Sequence, residues 1–425
     1  MLNNAYIGID LGTSGCRAYA IDDQSRIIAR CHKPFSNSSQ TQHNPALDWQ
    51  LVVSVLSNLI HQCSGYKIQS IAVDATSGSI LVVNEKGQPL TPILMYNNCN
   101  ARQQAMLLES IVPATSAAHG TGSGLAKLLY LIESYALTGK YFLLHQADWI
   151  NYNLGAPLAI SDENNALKSG YDPIDRCWPN WIGDVVSTSI LPQVVACGTE
   201  IGFVSDALMQ QFELSHRPTI KAGTTDSIAA FIATGANELG DALTSLGSTL
   251  VVKMLCDHPV FIPQQGVYSH RLNDRWLVGG ASNTGGAVLQ HYFTNNELLE
   301  LSVQIDINQT VPDYYPLLEK GERFPINDPD LQPCLSPRLE SRSEFLHALL
   351  NGIANVEYQS YTLLERITRT PIKSIRTVGT GSVNRTWQAI RQRKFHVSFI
   401  TPENTEAAYG AALIAKDSEP NAKLI

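Results

Sequence analysis

The sequence predicts an α/β protein with more than one domain, and three observations lead to that prediction. Stretches with the two-residue period of strands alternate with stretches at helical spacing along the whole chain. A chain of 425 residues is too long for one ordinary hydrophobic core. The hairpin pattern around Leu11 also recurs around Leu246, about half a chain away, which indicates a weak internal repeat.

The first hairpin is predicted from Tyr6 to Asp22, because apolar residues alternate on both sides of a glycine-containing turn. The turn consists of Gly12, Thr13, Ser14 and Gly15. Glycines allow another group to approach the backbone closely, and successive turn N–H groups can hold an anion. Asp10 at the strand end would repel a phosphate unless a cation lay between them. The pattern predicts a phosphate and Mg²⁺ site, with an ordinary glycine hairpin as the alternative.

The second hairpin is predicted from Ala242 to Leu255 and repeats this design. Its turn consists of Leu246, Gly247, Ser248 and Thr249. Two such hairpins facing each other across a cleft could hold one polyphosphate from both sides. The repeat therefore strengthens the phosphate interpretation beyond what either turn supports alone.

Two further strand ends carry polar side chains. The stretch 68–83 is predicted as a strand, a turn and a second strand, and the turn holds Asp74, Thr76, Ser77 and Ser79. Hydroxyls with a carboxylate suit a polyol, although such residues also end strands through local hydrogen bonds. In the stretch 220–234, Asp226 stands where a short strand meets an apolar helix. This position faces the crevice where α/β folds bind ligands, and an ordinary N-cap is the alternative.

A third junction follows the predicted strand 375–378. Gly379 and Gly381 would let a flat ligand lie on the backbone, Asn384 can hydrogen-bond that ligand, and Trp387 can line its pocket. The alternative for Trp387 is a place in the hydrophobic core.

Several helices and loops can also be predicted. Asn44 followed by Pro45 has the pattern of a helix N-cap, after a polar loop that starts at Ser36. The polar stretch Ser161–Leu167 is predicted as a loop that leads into a helix. The stretch Thr405–Ala412 is predicted as a helix with very small side chains, which allows close packing of the kind a hinge between domains needs.

Composition excludes several classes of protein. Hydrophobic residues make up 44% and charged residues 16%, which is typical of a well-packed globular protein. The net charge is −8 and the basic residues are scattered, so no nucleic-acid partner is expected. One local cluster is predicted to be a solvated helix face: Arg385, Arg391, Arg393 and Lys394.

The cysteine spacing, the N-terminus and the hydropathy predict a cytoplasmic protein. No two of the eight cysteines form a C-x-x-C motif, so most are expected to be buried, reduced thiols. The N-terminus lacks the pattern of a signal peptide, and no run approaches the roughly 18 apolar residues of a membrane span. The sequence also lacks the P-loop, zinc-protease and serine-hydrolase motifs, and no complete G-x-G-x-x-G follows a strand.

Seven short motifs occur in a fixed order along the chain. They are D-L-G-T-S at Asp10–Ser14, D-A-T-S-G at Asp74–Gly78, A-G-T-T-D at Ala222–Asp226, S-L-G-S-T at Ser245–Thr249, G-E-R-F-P at Gly321–Pro325, G-T-G-S-V-N at Gly379–Asn384 and E-A-A-Y-G-A-A at Glu406–Ala412. This set resembles the FGGY carbohydrate kinases, of the actin/hexokinase/Hsp70 superfamily, over essentially the whole chain.

Within that family the sequence looks most similar to the short D-ribulose kinases of cyanobacteria and plants, which are also described as xylulose kinase-like. Four stretches carry this closer resemblance: Gln146–Trp149, Asn165–Tyr171, Thr224–Phe231 and Tyr314–Asp330.

The resemblance implies two ribonuclease H-like domains around a central cleft. Residues 1–234 would form the sugar-side domain, completed by the C-terminal helix 405–425. Residues 235–404 would form the nucleotide-side domain.

The resemblance also implies roles for single residues. Asp226 would be the general base; Asp10, Ser77 and Asp226 would contact the sugar; Asp10 and Asp226 would lie at the Mg²⁺ ion. The implied ATP-binding residues are Gly12, Thr13, Ser14, Gly247, Ser248, Thr249, Gly379, Gly381, Asn384 and Trp387.

Two departures from the family pattern bear on substrate and nucleotide. Most relatives carry a Trp-x-Asp-x-Arg-like sugar motif where this chain has the segment Tyr96–Cys99. This difference argues against classical glycerol or xylulose recognition and leaves the sugar open. Thr380 stands where relatives often have glycine, which would alter the nucleotide fit modestly.

The expected activity is ATP-dependent phosphorylation of the terminal 5-hydroxyl of a ketopentose, with D-ribulose as the first candidate. D-Xylulose or another polyol is the alternative substrate. A sugar-independent ATPase and a sugar-binding protein without turnover are the alternative classes. The expected cofactors are ATP and Mg²⁺, no membrane or nucleic-acid partner is expected, and both a monomer and a homodimer stay open.

Overall fold

A computed structural model describes residues 2–35 and 42–417. The chain divides into two compact units. The first comprises Met1–Ala233, Arg271–Asn273 and Glu406–Ile425, and the second comprises Thr234–His270 and Asp274–Thr405. Residues 36–41 of the predicted polar loop and residues 418–425 of the predicted C-terminal helix lie outside the described residues.

The helices and strands of the first unit come mostly from the N-terminal half. They are β1 (Asn3–Leu11), β2 (Gly15–Ile21), β3 (Ile27–Pro34), β4 (Gln42–His43), α1 (Pro45–Gln62), β5 (Tyr66–Ala75), β6 (Ile80–Asn84), β7 (Ile93–Leu94), α2 (Arg102–Leu108), α3 (Gly124–Ser134), β8 (Tyr141–His145), α4 (Gln146–Leu154), β9 (Ile160–Asp162), α5 (Glu163–Ala166), β10 (Gln193–Val195), β11 (Glu200–Phe203), α6 (Asp206–Gln211), β12 (Thr219–Thr225) and α7 (Asp226–Ala233).

The remaining elements build the second unit and then return to the first. They are β13 (Asp241–Leu246), β14 (Leu250–Cys256), β15 (Tyr268–Leu272), β16 (Arg275–Ala281), α8 (Gly286–Tyr292), α9 (Asn295–Ser302), α10 (Arg342–Thr368), β17 (Ser374–Val378), α11 (Arg385–Lys394), β18 (Ser398–Ile400) and α12 (Ala407–Lys416). Of these, α12 belongs to the first unit.

The central sheet of the first unit has six strands in the order β11-β12-β5-β1-β2-β3. The predicted first hairpin is confirmed, because β1 and β2 pair antiparallel with Leu11 opposite Cys16. Strand β5 lies parallel to β1, with Asp74 opposite Asp10. Strand β12 lies parallel to β5, with Thr225 opposite Ala75. The carboxyl ends of β1, β5 and β12 therefore meet at one edge of the sheet.

The central sheet of the second unit has the same scheme, in the order β15-β16-β14-β13-β17-β18. Strands β13 and β14 form the predicted second hairpin, with Leu246 opposite Leu250, and β17 runs parallel to β13. The hairpin β13–β14 therefore has the place in its sheet that β1–β2 has in the first. This equivalence is the structural basis of the internal repeat.

The small side chains predicted for 405–412 are explained by packing inside the first unit. A Cβ at Gly8 would lie 2.1 Å from both the Ala408 carbonyl oxygen and the Ala412 nitrogen. A Cβ at Gly410 would lie 1.9 Å from the Ala229 carbonyl oxygen. Helix α12 therefore lies directly against the backbone of β1 and α7, and only small residues permit this approach.

The stretch Ser161–Leu167 differs from its prediction as a loop. It forms β9 and α5 and is almost completely buried. Most of its polar side-chain atoms are paired: Asp162 accepts hydrogen bonds from the Asn164 and Asn165 N–H groups, and Asn164 donates to Thr224 Oγ1 at 3.0 Å. The prediction of a loop is wrong for this stretch, whose burial is possible because hydrogen bonds within the fold replace those to water.

The basic cluster on α11 was predicted to be a solvated helix face, and Arg391 differs from this prediction. Arg391 is 1% exposed, and its Nε donates to Glu357 Oε2 at 2.6 Å. A buried guanidinium is tolerated because a carboxylate on α10 neutralises it. The cysteines are free, as expected, but only four of the eight are buried.

The predicted N-terminus of α1 is confirmed. Asn44 caps α1 by accepting a hydrogen bond from the Ala46 N–H group, and Pro45 is the first helical residue, as predicted. Every helix in the part of the chain that the structure describes is too short or too polar to cross a lipid bilayer.

Candidate active site

Three carboxylates of the first unit come together at the edge where parallel strands end. Asp10 is the penultimate residue of β1 and Asp74 the penultimate residue of β5. Asp226 follows β12 directly and begins α7. Asp74 is fully buried, Asp10 is 5% exposed and Asp226 is half-buried.

The charges of these groups act on one another. Burial, together with the negative charge of Asp226, raises the pKa of Asp10 to about 6, and the positive charge of Arg17 opposes this shift. Arg17 lies opposite Asp10 on β2, and its Nη1 is 3.4 Å from Asp10 Oδ2. Burial, with the charges of Asp10 and Asp226, raises the pKa of Asp74 well above its usual range. The site therefore favours a proton or a cation.

Four buried polar atoms at this edge have no hydrogen-bond partner among the described residues. They are Oδ1 and Oδ2 of Asp74, Oγ of Ser77 and Oγ1 of Thr225. The Asp74 and Asp10 carboxyl groups are near enough to interact, but they do not meet hydrogen-bond geometry. Other such atoms are spread over both units. An orphaned buried polar group costs about 1–3 kcal/mol, so several at one strand edge indicate a ligand site.

The turn Gly12–Gly15 borders this edge. The Gly12 N–H group donates to the Gly15 carbonyl at 3.1 Å, which closes the turn. Thr13 is half-buried and Ser14 is exposed. A Cβ added at Gly12 would meet its nearest atom, Asp10 Oδ1, at 3.6 Å, an ordinary contact. The packing of the fold therefore does not by itself require glycine at this position.

The second unit assembles a similar turn at Gly247, Ser248 and Thr249. The N-terminus of α8 anchors it, since Gly286 N donates to the Gly247 carbonyl at 2.8 Å and Ala287 N donates to the Ser248 carbonyl at 3.0 Å. A Cβ at Gly247 would again meet only an ordinary contact, Thr249 O at 3.8 Å.

The turn after β17 lies against this hairpin. A Cβ at Gly379 would be 2.6 Å from the Leu246 carbonyl oxygen, and one at Gly381 would be 2.8 Å from Leu246 Cβ. The structure thus brings together two of the glycine turns that were predicted to contact ATP. Here glycine is needed for backbone packing, whether or not a nucleotide binds.

Asn384 and Trp387 have clear roles within the fold. Asn384 caps α11, because its Oδ1 accepts from Trp387 N at 2.9 Å, and its Nδ2 donates to Ser302 Oγ at 2.8 Å. Trp387 is 1% exposed, and its ring packs beneath Gly381 in the core of the second unit. The core alternative for Trp387 therefore describes its packing, and nucleotide contact by these two residues stays a prediction.

The carboxylates fit a magnesium ion that is also held by phosphate oxygens. Within residues 2–35 and 42–417, no cluster of three or more His, Cys, Asp or Glu side chains is arranged to hold a metal on its own. Mg²⁺ commonly takes one or two carboxylates together with substrate phosphates and water. Asp10 and Asp226 supply hard oxygen donors of this kind beside the Gly12 turn.

Sequence reasoning gave Asp74 only a place in a turn that suits a polyol, and it gave Arg17 and Thr225 no role. A usable signal was present for the first two. Asp74 and Asp10 are each the second residue from the end of one of two parallel strands. Arg17 lies opposite Asp10 because equal numbers of strand residues separate the two from the hairpin turn. No sequence signal distinguished Thr225 from its neighbour Thr224, because only the packing shows which hydroxyl is paired.

A separate cavity of about 400 Å³ lies at the other end of β5, where Tyr66 and Ile68 contribute to its lining. It contains none of the predicted site residues. Its position at the amino end of a parallel strand is not where α/β sheets usually bind ligands.

Comparison with solved structures shows which proteins share this fold. The chain is similar to a xylulose kinase from Brucella ovis, with TM-score 0.85, 22% identity and coverage of 98% of this chain and 92% of that one. It is also similar to a gluconate kinase from Lactobacillus acidophilus, with TM-score 0.84, 17% identity and coverage of 99% and 91%. The chain therefore has the α/β fold of these two kinases, which agrees with the fold that the resemblance implied.

Curated relatives of the chain are also named as sugar kinases. The chain is 22% identical to the xylulose kinase of Staphylococcus epidermidis over 439 residues, which cover 98% of this chain and 88% of the relative. It is 19% identical to the gluconokinase of Bacillus subtilis, with coverage of 96% and 86%.

Family models make the assignment specific. The N-terminal domain of the FGGY family of carbohydrate kinases matches residues 5–233, and the C-terminal domain of the same family matches residues 242–416. The chain therefore belongs to the FGGY family of carbohydrate kinases, enzymes that use ATP to phosphorylate a sugar.

Proposed function

We propose that this kinase phosphorylates the terminal 5-hydroxyl of D-ribulose and so forms D-ribulose 5-phosphate and ADP. The choice of sugar rests on the four stretches that resemble the short D-ribulose kinases, and on the loss of the usual sugar motif at Tyr96–Cys99. D-Xylulose is the second candidate, because several curated relatives are named xylulose kinases.

The observation that carries the proposal is the group of orphaned atoms on Asp74, Ser77 and Thr225. A ketopentose offers hydroxyls that both donate and accept, and can therefore satisfy a mixed set of carboxylate and hydroxyl groups. Asp10 and Asp226 lie at the same edge of the sheet. Their carboxylates supply the negative charge that is proposed to bind Mg²⁺ and to accept the proton.

In this proposal Asp226 is the general base. Its Oδ1 accepts a hydrogen bond from the Ser227 N–H group at 2.6 Å, which fixes the carboxylate at the start of α7. The sugar hydroxyl passes its proton to this carboxylate as its oxygen bonds to the γ-phosphorus, and the bond from phosphorus to the ADP oxygen breaks.

Each glycine turn offers backbone N–H groups of the kind that bind phosphate, at Gly12 in the first unit and at Gly247 in the second. Mg²⁺ would neutralise phosphate charge, and Asp10 and Asp226 are the residues proposed to hold it. Arg17 keeps Asp10 partly neutralised through their contact at 3.4 Å.

The test measures ADP release with D-ribulose, with D-xylulose and without sugar, at saturating Mg²⁺ and ATP. We expect sugar-stimulated release with a higher kcat/KM for D-ribulose. A higher value for D-xylulose would assign the second candidate. Release that no sugar stimulates would instead support an ATPase, and stabilisation by sugar without ADP would support a binding protein.

A further inference from the structure

A lysine on α3 is buried with its ammonium group against backbone carbonyl oxygens. Lys127 is 0% exposed, and its Nζ donates to the carbonyl oxygens of Gly78 at 2.8 Å, Met95 at 2.9 Å and Tyr96 at 3.1 Å. An ammonium group has three N–H donors, so these three carbonyls use its full capacity. The arrangement requires the protonated form for all three bonds.

The three carbonyls lie in or directly beside two segments with a predicted role at the sugar, the Ser77 turn and Tyr96–Cys99. Gly78 follows Ser77, whose buried Oγ has no described partner. Tyr96 begins the segment Tyr96–Cys99, which replaces the usual sugar motif of the family, and Met95 immediately precedes it. A second bond joins the same two segments, because Ser79 Oγ accepts from the Tyr96 N–H group at 2.8 Å.

Stability alone does not account for this lysine. Removing an ammonium group from water is costly, and an apolar side chain of similar volume often packs as well or better. Burial, together with the positive charge of Lys168, lowers the pKa of Lys127 to about 7, which is the physical sign of that cost. What the ammonium supplies, and an apolar chain cannot, is a three-way connection between backbone segments.

We propose that Lys127 is a positioning residue for the sugar, which holds the Ser77 turn and the segment Tyr96–Cys99 at a fixed separation. This inference rests on the proposed function in taking the ligand of these segments to be a sugar. Lys127 itself does not need to touch the substrate. Its loss would weaken sugar binding selectively, because the nucleotide turns at Gly12 and Gly247 lie outside its contacts.

The first experiment compares Lys127→Met with Lys140→Met. Lys140 is an exposed control in the same unit, with its side chain 65% accessible and paired to Glu85 at the surface. We expect Lys127→Met to raise the KM for the sugar at least about tenfold, as the loss of hydrogen bonds to a charged group would, and to leave the KM for ATP within about twofold. Lys140→Met should change neither constant. Equal increases in both KM values, or a loss of kcat alone, would overturn the proposal.

A pH profile of the unmodified enzyme tests the same idea without a variant, and so covers the case in which Lys127→Met does not fold. The charged and titratable groups acting on Lys127 are Lys168, whose charge lowers its pKa, and Cys99, whose charge raises it. A neutral amine keeps two N–H donors for three carbonyls. The KM for the sugar should therefore rise as the pH increases through about 7, while the KM for ATP stays level; parallel profiles would contradict the proposal.

Amide hydrogen exchange separates this inference from the proposed function. The amides of Tyr96 and Asn98 bond to Ser79 Oγ and to the Met95 carbonyl, and both should exchange faster in Lys127→Met than in Lys140→Met. Unchanged exchange at both amides would overturn the positioning role, whatever the enzyme phosphorylates. Failure of every ketopentose as a substrate would overturn the proposed function and leave the exchange result to decide the role of Lys127.

Discussion

At the scale of the residue, the site is a set of charges and hydroxyls that the fold leaves uncompensated. Asp10 and Asp74 are neighbours across two parallel strands, and Asp226 adds a third carboxylate within electrostatic reach. Such an arrangement lowers stability in the absence of a ligand. Functional sites commonly carry this cost, because the same groups bind and react when the ligand is present.

Asp226→Ala should abolish most sugar phosphorylation while the protein stays folded. Removal of a general base typically lowers kcat by about 10²- to 10⁴-fold. The measurement is ADP release with D-ribulose, and circular dichroism checks the fold. Asp184→Ala, at an exposed carboxylate of the same unit, is the matched control and should keep normal activity. Near-normal turnover of Asp226→Ala would refute the assignment of the base.

Asp10→Asn should change how stability depends on pH. The pKa of Asp10 is raised from 3.8 to about 6 in the native state, so the native state binds more protons than the unfolded state between these values. Stability contributed by the protonated carboxyl is therefore complete below about pH 4 and is lost as the pH rises through about 6. A shift of about two pKa units corresponds to about 3 kcal/mol.

Urea unfolding of both proteins from pH 4 to 8 measures this effect. We expect the free energy of unfolding of Asp10→Asn to increase relative to that of the unmodified protein as the pH rises. At pH 7 the variant should be the more stable of the two. A difference in unfolding free energy that stays constant across this range would contradict the assigned shift.

At the scale of the element, the two units use one design. Each central sheet begins with an antiparallel hairpin whose turn contains a glycine that the fold does not require, Gly12 in one and Gly247 in the other. Glycines packed against backbone, such as Gly379 and Gly8, are explained without a ligand. The contrast identifies the two hairpin turns as the ones where a ligand explains the glycine.

Gly247→Ala should weaken ATP binding without weakening the fold. The added methyl group meets nothing closer than 3.8 Å in the protein, but it would project from the turn proposed to hold phosphate. We expect the KM for ATP to rise about tenfold or more, with the thermal midpoint unchanged and the KM for the sugar unchanged as an internal control. A normal KM for ATP would exclude this turn from phosphate binding.

Gly410→Ala should destabilise the protein, although alanine usually favours a helix over glycine by about 1 kcal/mol. The new Cβ would lie 1.9 Å from the Ala229 carbonyl oxygen, and overpacking of this kind typically costs about 1–3 kcal/mol. The steric term therefore outweighs the helix propensity. Gly183→Ala, where a Cβ meets nothing within 4 Å, is the control for thermal unfolding and should show little change. Equal midpoints for the two variants would disprove the close packing of α12.

At the scale of the whole molecule, ligand binding should raise the stability of the chain. A ligand that binds only the native state stabilises it by about 2.7 kcal/mol at a concentration of 100 times Kd. D-Ribulose alone and MgADP alone should each raise the thermal midpoint. Sucrose at equal concentration controls for general osmolyte stabilisation. A shift with D-ribulose no larger than that with sucrose would argue against a ketopentose site.

Local sequence signals predicted much of the fold and part of the site. Both hairpins, the N-cap at Asn44 and the start of α7 at Asp226 follow from period, turn chemistry and capping, all of which act over a few residues. The stretch Ser161–Leu167 was wrongly predicted as a loop, and Arg391 was wrongly predicted to be solvated. Polar side chains can be buried when partners distant in sequence, such as Thr224 and Glu357, satisfy them.

The sequence by itself determined that the protein is a two-domain α/β kinase of a known family, because its ordered motifs are local and specific. Only the tertiary structure decided which polar atoms are satisfied and which are orphaned. It separated Asp74, Ser77 and Thr225 from their paired neighbours and revealed the three bonds of Lys127. The physical reason is that burial and hydrogen-bond partnership depend on residues brought together by folding, which spacing along the chain does not encode.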